Sequence, residues 1–217
     1  MITNAIQDYV KAIYKLSASD ENVTTNSIAD RLHVSQASVT GMIKKLHEIK
    51  LIRHKPYQGV ELTEGGKKVA LEIIRHHRLI ELYLAEAMGY SWDQVHEEAE
   101  KLEHVISEQF EEKMAQFLGD PTVDPHGAPI PTKEGTVEER DLKPLTLSEA
   151  GQKVRVKQVS DKDPDMLRYL GKLGIYPGVI VDVVEKVPFE GPILVQVGKS
   201  QHHLGQLLTD KILVSAA

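Results

Sequence analysis

At Leu145 the spacing of the apolar residues changes from that of a helix to that of a strand, and no single helical or β architecture can absorb both halves. Before it, apolar residues recur every three or four positions. Tyr9/Val10, Ile13 and Leu16 share one face, and the pattern stays helical from about residue 67 to 117, interrupted only at Gly89-Tyr90-Ser91-Trp92-Asp93. After it come short β-prone runs: 154–159, 179–184, 193–197 and 212–214, separated by the turn signals Pro177-Gly178 and Glu190-Gly191-Pro192. One short helix, Asp165 to Leu173, sits among them. The expectation is a mostly α protein with a small β domain, the latter SH3-like in size and strand count. Five prolines within residues 119–145 mark a loop or linker that need not be ordered. A length of 217 residues suffices for two or three small domains.

The N-terminal block has a specific pattern. Thr24-Thr25-Asn26-Ser27 supplies capping side chains for a helix through Leu32, and Ser91 does the same for the later helix that runs to Gly119. A short break, His33-Val34-Ser35, leads to a second helix from Gln36 to Leu46, with Val34, Val39 and Leu46 as core candidates. Helix, tight turn and helix make a helix-turn-helix. Two β-prone runs, 51–55 and 60–63, flank Pro56-Tyr57-Gln58-Gly59 as a hairpin, the wing of a winged helix-turn-helix, and a further helix begins at Lys67. Ser35, Gln36, Ser38 and Thr40 lie at the start of the second helix, where base edges and phosphates would be met; Lys44, Lys45 and Tyr57 are candidate backbone contacts. The expected partner is double-stranded DNA, and the alternative is a winged helix reused for protein contacts.

Charge supports this reading. Residues 1–73 hold 10 Lys/Arg against 8 Asp/Glu, residues 74–142 hold 6 against 16, and residues 143–217 hold 10 against 8. The net charge of −6 therefore comes from the middle of the chain and does not argue against DNA binding. Composition, 41% hydrophobic and 27% charged, is that of a soluble globular protein. The chain has no basic start followed by an apolar run and no stretch long enough to span a bilayer, so the expected compartment is the cytoplasm and no membrane partner is expected. With no cysteine, disulfides, thiolate catalysis and thiolate metal sites are excluded. No Gly-rich phosphate loop, nucleophile elbow or acid/base pair stands out, and neither an enzyme nor a small organic substrate is expected.

The acidic middle carries the remaining chemistry. On a helix, His96, Glu100, Glu103 and His104 fall on one face, and His77 and Glu81 are one turn apart on another. Imidazole and carboxylate together suit a divalent metal of intermediate hardness, such as manganese or ferrous iron, and the ligands could be split between two neighbouring sites. A solvated acidic surface is the alternative on spacing alone. His126 and the pair His202-His203 lack partners at ligand spacing and are read as ordinary loop or strand residues.

Taken in order, several segments resemble the diphtheria-toxin-repressor and manganese-transport-regulator family of metal-dependent transcriptional repressors. They are Asp8-Tyr9 through Leu16, the helix-turn-helix, 57–63, His76-His77-Arg78-Leu79, 95–100 with Glu103-His104, and 126–131. The segments 170–178, 188–192 and 212–214 resemble the SH3-like FeoA domain that ends the longer members. The resemblance implies three parts: 1–73 as a DNA-binding domain, 74–140 as a helical metal-binding and dimerisation domain, and 141–217 as linker and FeoA domain. It implies a primary metal site from Asp8, Glu100, Glu103 and His104, and an ancillary site from His77, Glu81, His96 and, from the third domain, Asp163. It implies a homodimer on operator DNA that represses metal-uptake genes. Iron-responsive members look to carry methionine and cysteine where this chain has Asp8 and Glu100, so Mn2+ is the expected metal, with Fe2+ and other divalent transition metals able to substitute. Lys11 stands where the smaller manganese regulators carry an acid, which argues against their paired-manganese arrangement. The alternatives are an Fe2+-dependent member, a winged-helix regulator answering a non-metal signal, and a binding module acting through the C-terminal barrel.

Overall fold

The computed structural model describes residues 2–18, 22–55 and 59–217. The chain forms two compact units, each assembled from three segments: Met1–His77, Leu102–Ser107 and Pro131–Val137 in the first, and Arg78–Lys101, Glu108–Ile130 and Glu138–Ala217 in the second.

In the first unit, helix α1 (Asn4–Ser17) starts at Thr3, whose side chain accepts a hydrogen bond from the Ile6 amide. Helix α2 (Thr25–Leu32) opens on a reciprocal capping box between Thr24 and Ser27. It ends at His33, whose left-handed φ of 53° makes the tight turn, and Ser35 then caps helix α3 (Gln36–Glu48). Val39, Ile43 and Leu46 line the buried face of α3 and share a core with Ile6, Val10 and Ile13 of α1 and Ile28 of α2. Val34, expected in that core, is 39% exposed because it sits in the turn itself. Strands β1 (Ile52–Lys55) and β2 (Gly59–Leu62) pair antiparallel, Ile52 opposite Leu62. The turn residues 56–58, Tyr57 among them, lie outside the described residues. Helix α4 (Glu64–Met88) begins three residues before the expected Lys67, because the Thr63 hydroxyl accepts from the Gly66 amide. Gly66 must be glycine: an added Cβ would stand 2.0 Å from the Leu51 carbonyl oxygen.

The run expected as one helix to residue 117 is broken. Helix α5 (Val95–Leu102) stops before Glu103, and helix α6 (Glu108–Phe117) follows a five-residue turn. The carbonyl of Glu103 is held by the ring of His76 (Nδ1 to O 3.1 Å), which takes from a continued helix the acceptor its next turn would need.

In the second unit, residues 143–216 form a six-stranded antiparallel sheet of order β3-β8-β4-β5-β6-β7, composed of β3 (Lys143–Pro144), β4 (Lys153–Val159), β5 (Ile180–Lys186), β6 (Ile193–Val197), β7 (Ser200–Leu204) and β8 (Ile212–Ala216). Inward residues alternate along the strands, as at Val154/Val156, Val181/Val183 and Ile193/Val195, and pack on Leu167 and Leu170 of helix α7 (Pro164–Lys172). The polar β7, Ser200-Gln201-His202-His203-Leu204, is an edge strand and carried no apolar alternation to announce it.

The proline-rich connection is ordered where the sequence allowed disorder. Asp124 Oδ1 accepts from the amides of His126 and Ala128, and Val123 bridges Pro129. The His126 carbonyl takes the Val159 amide at the end of β4, and Gly127 approaches so closely that a Cβ would stand 2.0 Å from the Lys157 oxygen. No helix among the described residues is long and apolar enough to cross a membrane.

Candidate metal centres and DNA-reading surface

Within the first unit, ligand-capable atoms of Asp8, Glu103 and His104 lie within 4.8 Å of one another. Asp8 comes from the middle of α1, while Glu103 and His104 stand in the turn that ends α5. His104 Nε2 is 2.9 Å from Asp8 Oδ1 and 3.5 Å from Glu103 Oε1. On the other side of the ring Nδ1 donates to Gln7 Oε1 at 2.9 Å. An imidazole whose Nδ1 carries the proton presents its lone pair at Nε2, the atom turned toward both carboxylates. Gln7, the partner that orients this ring, has no signal in the sequence to single it out.

Glu103 is 2% exposed along its side chain. Lys11 Nζ donates to both of its oxygens at 2.7 Å, and His77 Nδ1 lies 2.5 Å from Oε2. Burial pushes the Glu103 carboxyl up, but the His77 hydrogen bond and the Lys11 charge outweigh it and hold the group below the ordinary carboxylate value. Asp8 is shifted the other way: burial raises it, the neighbouring Glu103 charge adds to this, and His104 and Lys11 only partly oppose. Two carboxylates and an oriented imidazole are a donor set that suits Mn2+ or Fe2+.

Within the second unit, Glu81, His96 and Asp161 converge. His96 Nδ1 is 3.0 Å from Glu81 Oε1 and 3.6 Å from Asp161 Oδ2, and Glu81 is fully buried. Asp163, expected as the ligand from this loop, instead caps α7, its Oδ1 accepting from the amides of Asp165 and Met166. A carboxylate spent on a helix start is not presented to His96, and the residue beside His96 is Asp161. Glu100, expected with Asp8, Glu103 and His104, has a 58% exposed side chain with Oε1 3.7 Å from His96 Nε2. His77, expected with Glu81 and His96, stands one turn before Glu81 on α4, and its Nδ1 also faces Glu103 Oε2.

Behind Glu81 lie Asp124 and His126, both buried. His126 Nε2 donates to the Trp92 carbonyl at 2.6 Å, while Nδ1 is 3.8 Å from Glu81 Oε2. Burial alone would lower this imidazole, but the neighbouring Glu81 and Asp124 carboxylates push it up to about 9. Arg78 Nε stands 3.5 Å from Asp124 Oδ2. Glu81, Asp124, His126 and Arg78 thus form a buried cluster of charged and titratable groups. His126 has no ligand spacing in the sequence, because Glu81 and Trp92 lie far away in the chain.

The DNA-reading candidates fall on the exposed side of α3. Gln36, Ser38, Thr40, Lys44 and Lys45 are exposed opposite Val39, Ile43 and Leu46. Ser35 and Ser38 hydrogen-bond each other at the helix start, and the Thr40 hydroxyl donates to the Gln36 carbonyl. Their hydroxyl oxygens keep lone pairs, and the two lysine ammoniums stand on the same exposed side.

Three family models match successive parts of the chain. Residues 1–60 match the family described as iron dependent repressor, N-terminal DNA binding domain; residues 63–132 match iron dependent repressor, metal binding and dimerisation domain; residues 143–216 match the FeoA domain. The iron-dependent repressor IdeR of Mycobacterium tuberculosis is 31% identical over 206 residues, spanning 89% of each chain. The diphtheria toxin repressor of Corynebacterium efficiens is 27% identical over 85% of each. Among solved structures, a manganese-dependent transcriptional repressor in complex with manganese superposes with a TM-score of 0.90 at 35% identity, covering 98% of this chain and 100% of the other. ScaR with bound Zn2+ gives 0.82 at 31% identity, covering 98% and 99%.

Proposed function

The chain belongs to the iron-dependent repressor family of metal-dependent transcriptional repressors, and from that premise we propose that it is a Mn2+-responsive repressor of metal-uptake genes, binding operator DNA as a homodimer in the cytoplasm. The observation that carries this reading is the convergence of Asp8, Glu103 and His104 in the unit that holds the helix-turn-helix. Asp8 lies on α1, and α1 shares its buried face with α3.

Asp8, Glu103 and His104 would hold the ion; when bound, it supplies the positive charge their two carboxylates share. Asp8 then fixes α1 to the turn at 103–104, and α1 carries that constraint through Ile6, Val10 and Ile13 to the core beneath the reading helix. Two reading heads on a two-fold dimer need half-sites at a fixed separation, so restricting α1 selects a DNA-competent geometry from those available. For the dimer contact, Phe117 on α6 is 68% exposed beside Tyr83 of α4, a large apolar side chain of the kind self-association would cover. Glu81, His96 and Asp161 would hold a second ion that fastens the loop after β4 to α5.

Support for Mn2+ over Fe2+ comes from the similarity to a manganese-dependent repressor and from Asp8 and Glu100, which stand where the resemblance puts the softer methionine and cysteine of iron-responsive members. The relatives named as iron-dependent support Fe2+ as the second reading. Operator DNA selected from genomic fragments provides the test, with chelator-treated wild type and Asp8→Asn measured with and without Mn2+. Tight binding by the wild type only with Mn2+, and by the variant in neither condition, is expected. Equal, tight binding in all four conditions would mean that the repressor answers a non-metal signal.

A further inference from the structure

Lys11 was not among the expected ligands, yet its ammonium is buried at the centre of the first-unit cluster. It sits 2.7 Å from both oxygens of Glu103 and 3.4 Å from His77 Nδ1. Each Glu103 oxygen has a second neighbour: Oε2 faces His77 at 2.5 Å, and Oε1 faces His104 at 3.5 Å. An additional cation drawing on Glu103 therefore meets a carboxylate whose two oxygens are already engaged by one positive charge.

We propose that Lys11 is a tethered competitor of the metal ion, holding Glu103 until a divalent cation displaces the ammonium from at least one oxygen, and so setting the concentration at which this site fills. The inference rests on the metal-binding reading of Asp8, Glu103 and His104. Its physical basis is twofold. Two cations sharing one buried carboxylate repel strongly where the effective dielectric is low. A buried carboxylate without a counter-charge is costly, so Lys11 also maintains the folded arrangement when the metal concentration is low. Asp8 and Lys11 are three residues apart on α1, one helical turn, so the incoming ligand and the outgoing competitor belong to the helix that packs beneath α3. Exchange of partners at Glu103 thus acts directly on the element that feeds the reading head.

The test uses full-length, chelator-treated wild type, Lys11→Met and Lys11→Gln, titrated calorimetrically with MnCl2 and melted with and without Mn2+. Lys11→Gln retains a donor toward Glu103 and serves if the methionine variant does not fold. Removing the charge should tighten Mn2+ binding at least about tenfold. It should also lower the melting temperature in chelator and enlarge the rise that Mn2+ produces. Unchanged or weaker Mn2+ binding in a folded variant, beside a wild type that binds, overturns the competition and leaves the metal reading standing. A wild type that binds no Mn2+ overturns both.

Discussion

The imidazole of His104 joins two neighbouring residues of α1: its Nε2 faces Asp8 Oδ1 at 2.9 Å and its Nδ1 donates to Gln7 Oε1 at 2.9 Å. A helix whose buried face belongs to the helix-turn-helix core is thereby referenced to a turn roughly a hundred residues later in the chain, a separation for which loop-closure entropy must be offset by the contacts made there. The same ring is the candidate metal ligand, so any change in how it is held reaches α1 first.

Asp8 and Glu103 separate binding from folding. Asp8 is 44% exposed along its side chain, so Asp8→Asn should leave the melting temperature of the chelated protein nearly unchanged. It should weaken Mn2+ binding at least about 100-fold, since even residues that only support ligands cost up to that much. Glu103→Ala should destabilise by about 3–5 kcal/mol, because it leaves the Lys11 ammonium buried without its partner. Calorimetric titration together with denaturant melts distinguishes the two effects; equal loss of stability in both variants would contradict this division.

Gln7 acts through His104. Gln7→Leu removes the acceptor that selects the Nδ1-protonated tautomer, and Mn2+ affinity should fall about 10–100-fold. Gln7→Glu, which restores an acceptor, should recover most of that loss, whereas a purely packing role would let leucine serve as well as glutamate.

Asp161 and Asp163 have different duties two residues apart. Asp163→Ala should cost about 1 kcal/mol by uncapping α7. Asp161→Ala should leave stability nearly unchanged and remove one class of bound metal, read by counting Mn2+ ions per chain in the titration. A full complement of metal in Asp161→Ala would exclude it as a ligand.

Asp93 and Arg168 predict an acid-sensitive contact within the second unit. Burial raises the Asp93 carboxyl, but its hydrogen bond to Arg168 at 2.9 Å outweighs this and holds it below the ordinary 3.8. A depressed folded value means that the contribution is fully present above pH 3.8 and lost as pH falls through the lower folded value. Because the Arg168 side chain is half exposed, solvent screens the pair and the contribution is small. Urea melts of Asp93→Asn should therefore fall below wild type at neutral pH and converge with it in stronger acid; a gap independent of pH would contradict the assignment.

The helix-turn-helix was legible because its signals are local: capping side chains at Thr24-Thr25-Asn26-Ser27, a short break at His33-Val34-Ser35, and apolar spacing in α3. The C-terminal strands were legible as short β-prone runs, apart from the two-residue β3 and the polar β7, which carry no apolar pattern. The site was legible only in part. Spacing placed His96, Glu100, Glu103 and His104 on one helical face, but the helix ends at Leu102, and a tertiary contact, His76 to the Glu103 carbonyl, helps to end it. Asp161 could not be told from Asp163, since both are acids in one loop and only the start of α7 decides which is occupied. Gln7, Lys11 and His126 act through partners dozens of residues away, and no periodicity points to such pairings.

The central claim is that a divalent metal ties α1 to the turn at 103–104. Crystals of the full-length protein grown with Mn2+ and measured on both sides of the manganese absorption edge test it most directly. An anomalous peak bounded by Asp8, Glu103 and His104, lost in Asp8→Asn, is the predicted result. Manganese elsewhere in the chain, with no peak among those three residues, would contradict it.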